Sequence, residues 1–189
     1  MNMLTIRPAG PQDLDYLVET DLLNEGYTPA PGETPMTDAE RADHRTKIAG
    51  FINDPSQGGW IAEDSTTGAK AGMILARFRD RQTEPDDEAN RFLFQFIDNS
   101  IFPPDGKFCE VFQLWVHPTY RRQGLATRLK QVLEDEAKKR GIRMIYTHTE
   151  AQNEHVIEMN RKLGYREVRR DPLWDDVIRV SLVKWLDSE

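Results

Sequence analysis

The stretch Leu114-Trp115-Val116-His117-Pro118-Thr119-Tyr120-Arg121-Arg122-Gln123-Gly124-Leu125-Ala126-Thr127 joins a β-rich run to a long amphipathic segment. Phe108 to Val116 reads as a strand, and Arg122 to Arg140 reads as a helix closed by Gly141. A loop of small residues at a helix start turns several main-chain N–H groups toward one point, because the first four amides of a helix have no partner within it. Such a point suits an anion. Gly124 lets the backbone approach a ligand, Ala126 adds little bulk, and the helix dipole contributes about 0.3–1 kcal/mol. Arg121, Arg122 and Arg128 add positive charge, and the face made by Leu125, Leu129, Val132, Leu133 and Ala137 seats the first turn firmly. Taken alone, the stretch also fits a basic connection that binds nothing. It matches neither the dinucleotide fingerprint nor the P-loop, which disfavours nicotinamide and nucleotide-triphosphate chemistry.

Working outward, Leu4 to Arg7 alternates as a strand and Gly10-Pro11 opens a helix, with Leu14, Leu17, Val18 and Leu22 on one face and acids opposite, up to Gly26. Tyr27 to Pro35 reads as a loop. Thr37-Asp38-Ala39-Glu40 has the capping-box pattern, predicting a second helix to about Gly50. Trp60 to Glu63 and Ala71 to Phe78 read as a hairpin around Asp64 to Gly68. Phe92, Leu93, Phe96, Ile97 and Ile101 recur at helical spacing until Pro103-Pro104, predicting an apolar helix between strands. Ile142 to Thr147 is a strand, Asn153 to Leu163 a helix closed by Gly164, and Tyr165 to Val168 and Val177 to Leu186 the last strands.

The length, 189 residues, predicts one domain spanning 1–189. With 38% hydrophobic and 30% charged residues the chain suits an ordinary globular protein. Neither a long apolar run nor a signal-like start is present, so the expectation is a cytoplasmic protein without a membrane span. The lone Cys109 excludes a disulfide scaffold and a zinc finger, and none of the four histidines forms a metal pair, so no metal is expected. Met1 to Lys107 carries 10 basic against 19 acidic side chains, and Phe108 to Glu189 carries 15 against 13. A net charge of −7 without a basic, aromatic stripe argues against nucleic-acid binding.

The segment 108–165 resembles the GNAT-type N-acetyltransferases. Val116-His117-Pro118-x-Tyr120-Arg121-Arg122-x-Gly124-x-Ala126 resembles their pyrophosphate loop. Asn153-x-x-Val156-Ile157-x-Met159-Asn160-x-x-Leu163-Gly164-Tyr165 resembles their later CoA-contacting helix. The resemblance implies an α/β (α+β) fold: a mixed, mostly antiparallel central sheet flanked by helices, here with an extra helix between the third and fourth strands. It implies transfer of an acetyl group from acetyl-CoA, a co-substrate, to a primary amine of a small molecule or peptide. The amides of Gln123, Gly124, Leu125, Ala126 and Thr127 would hold the pyrophosphate, with Arg121 and Arg122 nearby. The main chain of Leu114, Trp115 and Val116 would pair with the pantetheine arm. An amide near Leu114 or Trp115 would polarise the thioester carbonyl, a donor worth about 3 kcal/mol in such sites. Asn153 would touch the cofactor where the central strands separate, or cap its helix.

Direct transfer needs a neutral amine. Removing the proton of a lysine-like amine at pH 7 costs about 4.6 kcal/mol, against about 1.4 for an α-amine. By resemblance Glu110 is the first candidate base, with His148 and Glu150 as alternatives, and a solvated edge carboxylate is the competing reading of Glu110. The tyrosine that often protonates the departing thiolate falls at Asn160, which offers a hydrogen bond and no acid. Tyr146 and Tyr165 read as packing residues, and Cys109 as a buried thiol. The segments expected to choose the acceptor are Asn24 to Ile52, Arg79 to Lys107 and Arg169 to Asp176. The second is long, with an aromatic helix fit to roof a pocket or form a homodimer face. Glu25, Glu33, Asp86, Asp87 and Glu88 are candidates to attract an ammonium group. The rival reading is a non-catalytic acyl-CoA-binding or regulatory module, supported by Asn160, and other acyl groups fit the same pattern.

Overall fold

Turn and cap chemistry sets most of the element boundaries in the computed structural model, which describes residues 4–24, 36–83, 85 and 87–186. Five α-helices and seven strands are present among them: β1 (Leu4–Pro8), α1 (Leu14–Asn24), α2 (Asp38–Asn53), β2 (Gln57–Asp64), β3 (Lys70–Asp80), α3 (Glu88–Phe94), β4 (Lys107–Val116), α4 (Leu125–Lys139), β5 (Met144–Glu150), α5 (Glu154–Lys162), β6 (Arg166–Pro172) and β7 (Ile178–Trp185). The strand order is β1-β2-β3-β4-β5-β7-β6. Pairing is antiparallel in β1/β2, β2/β3, β5/β7 and β6/β7, and parallel in β4/β5. This is the mixed, mostly antiparallel sheet that the resemblance implies. No helix among the described residues is long and apolar enough to cross a membrane.

The chain forms two compact units, residues 1–77 with 112–130, and residues 78–111 with 131–189. In the first, the Thr37 hydroxyl accepts from Glu40 N at 3.2 Å while Glu40 returns to Thr37 N at 2.7 Å, so α2 starts where the capping box predicts. Leu17, Ile48, Phe51, Ile61, Met73 and Leu75 form its core. Asp15 and Glu19 are exposed on the acidic side of α1, whereas Asp21 within it and Asp13 in the 3-10 turn before it are fully buried. The Asp13 carboxylate receives Arg7 at 2.7 and 3.0 Å, Lys70 at 2.8 Å and Gly10 N at 2.9 Å, and Asp21 lies 3.3 Å from His44. Burial alone would raise the Asp13 carboxyl, yet Arg7, Lys70 and the Gly10 amide hold it well below the usual carboxylate range. The loop expected over Tyr27 to Pro35 lies outside the described residues.

In the second unit, Leu93, Phe94, Ile97, Phe102, Phe108, Met144, Tyr146, Leu173 and Val183 form the core. The long apolar helix expected around Phe92 to Ile101 is a single α3 of seven residues, followed by Phe96 at φ 59° and a 3-10 turn, Asn99–Ile101, capped by Asp98. The reason is tertiary. Phe94 packs edge-on against Phe102 and Phe108 at 5.7 Å each, which leaves Phe92 and Phe96 outward.

Candidate functional site

The loop expected to hold an anion lies wholly in the first unit. β4 ends at Val116, a 3-10 turn follows at Pro118–Tyr120, and residues 122–124, where the helix is expected to begin, form turn and bend instead. Arg122 and Gly124 take φ of 60° and 75°, so the chain reverses and α4 begins only at Leu125. Arg128 N donates to Gly124 O at 3.1 Å, which places the amides of Leu125, Ala126 and Thr127 ahead of the first helical hydrogen bond. A Cβ at Gly124 would meet no atom within 4 Å, so it is the backbone conformation that calls for glycine there. These features fit a diphosphate cradled by main-chain donors.

Two of the three arginines brace the loop. Arg121 Nε donates to Val116 O at 2.9 Å, and Arg128 donates to Leu4 O at 2.8 Å. His117 N donates to Ala71 O at 2.9 Å, and its Nδ1 accepts from Thr119 N at 3.3 Å. Along β4, Phe112 and Trp115 both pack on the core of the first unit although three residues apart, so strict alternation is broken between them. Leu114, Trp115 and Val116 are half-buried. On β3, a Cβ at Gly72 would lie 2.7 Å from Trp115 O, so only glycine allows that approach.

The second unit holds the other candidates. Glu110 is Cα partner to Tyr146 in the parallel β4/β5 pair. At 3% exposure it is no solvated edge carboxylate, which corrects that reading. Its Oε2 accepts from Arg79 at 2.6 Å, and Arg79 also donates to Asn90 and covers Phe94. His148, two residues beyond Tyr146 on the same face, packs against Tyr146 at 6.1 Å and edge-on against Trp174 at 5.4 Å. Its Nδ1 is buried and has no hydrogen-bond partner among the described residues. Burial first, then the charges of Arg169 and Arg179, push the imidazole down to about 4. Glu150 accepts from Gln152 at the strand end.

Asn153 does not cap α5 with its side chain, correcting the capping alternative: its Nδ2 donates to Thr149 Oγ1 at 3.2 Å. Asn160 is 1% exposed, and its Oδ1 has no partner among the described residues. Tyr146 is fully buried, bonded to Ser181 at 3.0 Å and to Arg169 at 2.9 Å, and its hydroxyl is pushed up to about 12 by burial. Cys109 is a buried thiol. No group of three or more metal-ligating side chains occurs among the described residues.

Asp87 caps α3 by accepting from Asn90 N at 2.8 Å, and Glu88 is exposed. Glu25, Glu33 and Asp86 lie outside the described residues. The sequence reading missed Arg79 and Arg169. Arg77 and Arg79 continue the Met73, Leu75 alternation of β3, a period-two signal that pointed inward.

The sequence profile of the acetyltransferase (GNAT) family matches residues 20–165. A ribosomal protein bS18 alanine N-acetyltransferase of Escherichia coli (strain K12) is 36% identical over 63 residues, which cover 32% of this chain and 43% of that protein. Among solved structures, NAA60 of Arabidopsis thaliana in complex with acetyl-CoA is similar, with TM-score 0.69 and 19% identity over 98% of this chain and all of that one. So is the spermidine/spermine N-acetyltransferase SpeG of Vibrio cholerae, with TM-score 0.61 and 15% identity over 96% and 92% of the two chains. With the family profile matched across most of its length, the chain belongs to the GNAT family of acetyltransferases.

Proposed function

We propose that the protein is an acetyl-CoA-dependent N-acetyltransferase acting by direct transfer on a primary amine. The observation that carries this reading is the Gly124 turn, whose φ of 75° sets the amides of Leu125 to Thr127 ahead of the first helical bond. Gln123 to Thr127 would hold the diphosphate, with Arg121 and Arg122 beside it, and the main chain of Leu114 to Val116 would hold the pantetheine arm. Asn153 and Asn160 would complete the cofactor contacts, the bare Oδ1 of Asn160 suiting an amide or thiol donor. Acetyl-CoA supplies an activated thioester carbonyl. The amine nitrogen forms a bond to that carbon, the carbon–sulfur bond breaks, the nitrogen gives up a proton, and the sulfur leaves as thiolate or thiol.

Two side chains are proposed to receive that proton. Glu110 is the first by resemblance, but Arg79 already occupies Oε2. His148 is favoured by the bare, buried Nδ1. It stays neutral at pH 7, and it suits an acceptor whose amine is already uncharged, since the nitrogen's remaining proton becomes acidic as the new bond forms. One domain over 1–189 and a cytoplasmic setting belong to the same reading, as do small-molecule or peptide acceptors.

The test is release of free CoA thiol over a panel of amines, run beside calorimetric binding of acetyl-CoA. Binding with turnover supports the enzyme. Binding without thiol release from any amine supports the second reading, a non-catalytic acyl-CoA module, which Asn160 in place of an acidic tyrosine favours.

A further inference from the structure

The turn after α3, the β6–β7 loop and the first residue of β7 expose large apolar side chains: Phe96 at 76%, Trp174 at 51%, Val177 at 40% and Ile178 at 49%. Scattered apolar residues are ordinary on a surface, whereas a clustered set marks a binding surface. Here the two segments are laced together. Gln95 Nε2 donates to Leu173 O at 2.9 Å, joining the positions that immediately precede Phe96 and Trp174. Arg169, 4% exposed, donates to Leu93 O and Gln95 O at 2.8 Å each while its remaining N–H groups reach Tyr146 and Ser181. Phe96 is held outward at φ 59°, a left-handed conformation that strains a bulky residue.

The rim leads to chemistry. Trp174 meets the imidazole of His148 edge-on at 5.4 Å, so the exposed indole is continuous with the side chain whose Nδ1 is buried and bare. Arg179 covers the indole at 4.4 Å and is itself paired with Asp175, which fixes the ring from one side. Exposed Asp176 provides a carboxylate in the same loop for one ammonium group.

We infer that Trp174 and Phe96 form the platform on which the acceptor lies, selecting amines that carry a large apolar or aromatic group beside the nitrogen. This rests on the acetyltransferase reading above and names the substrate class of that site. The chemistry is shared by the N-terminus of a peptide that begins with a large apolar residue and by a free arylalkylamine.

Four acceptors separate the outcomes: phenylethylamine, a Phe-initial tetrapeptide, the matched Gly-initial tetrapeptide and spermidine. At least one apolar acceptor is expected to show kcat/KM about tenfold or more above the Gly peptide and spermidine. Which of the two leads identifies the source. In Trp174→Ala that ratio falls to near one through KM, while acetyl-CoA affinity is unchanged. Phe96→Gly, which accepts the same φ without strain, lowers the ratio in a well-folded protein. Equal use of all four acceptors, or an unchanged ratio in both variants, overturns the platform. So does a dimer that Trp174→Ala converts to monomer, which would make the rim a self-contact. If no amine releases thiol, the acetyltransferase reading fails by itself. The platform is then read by calorimetric binding of phenylethylamine and the Phe peptide, and it stands only if one binds and Trp174→Ala weakens that binding about tenfold.

Discussion

Arg79 donates to Glu110 at 2.6 Å with both side chains at least nine-tenths withdrawn from water. A buried pair of this kind resists removal of either member more than removal of both, because the survivor is left as an uncompensated charge.

Glu110→Gln is therefore expected to lower stability by about 3–5 kcal/mol, and Arg79→Met with Glu110→Gln by less than the two single losses combined. Urea denaturation of the three variants reads this directly. If Glu110 also takes the proton, the single variant loses about 100-fold or more in kcat. If His148 does, that loss belongs to His148→Gln instead.

Gly124→Ala and Gly68→Ala provide a matched pair, since both glycines have positive φ, 75° and 72°, and open space around a Cβ. Each should cost about 1 kcal/mol of stability. Only the first should weaken acetyl-CoA binding measured by calorimetry, because Gly68 sits in the β2–β3 hairpin turn.

His148 titrates near 4 in the folded chain against 6.5 when unfolded, so the unfolded state binds more protons between those values. Stability should then rise with pH from about 4 to 6.5 by up to a few kcal/mol. His148→Gln should flatten that part of the urea midpoint against pH curve.

Asp13 is held low, so its contribution is present above the ordinary carboxylate range and lost as the pH falls below it. Asp13→Asn takes the carboxylate from Arg7 and Lys70, leaving Arg7 on Glu63, and should cost about 1–3 kcal/mol at pH 7, seen as a lower thermal midpoint.

Local chemistry made much of this legible. Thr37 and Glu40 announced α2 because the capping box is satisfied within four residues, and Gly141 and Gly164 ended helices through their own backbone freedom, at φ 71° and 88°. What failed depended on distant partners. The start of α4 at Leu125 is the local exception, since Arg122 and Gly124 take φ of 60° and 75°, which break the helical run. The α3 periodicity pointed to Phe92 and Phe96, but the aromatic cluster around Phe108 recruits Phe94 between them. The burial of Asp13, Asp21 and Arg169, and the Arg79 partner of Glu110, were not legible because nothing in a sequence shows which neighbouring strand or helix will supply a partner group.

Position 72 shows how the proposed binding motif depends on a residue of a neighbouring strand. Any side chain there would drive into the carbonyl of Trp115 and the Cα of Val116, displacing the stem from which the proposed anion loop springs. A saturation scan read out by acetyl-CoA capture should therefore find this glycine as intolerant as Gly124, some fifty residues away. Redesign of acceptor preference can proceed freely on the rim, provided that one missing methyl is left alone.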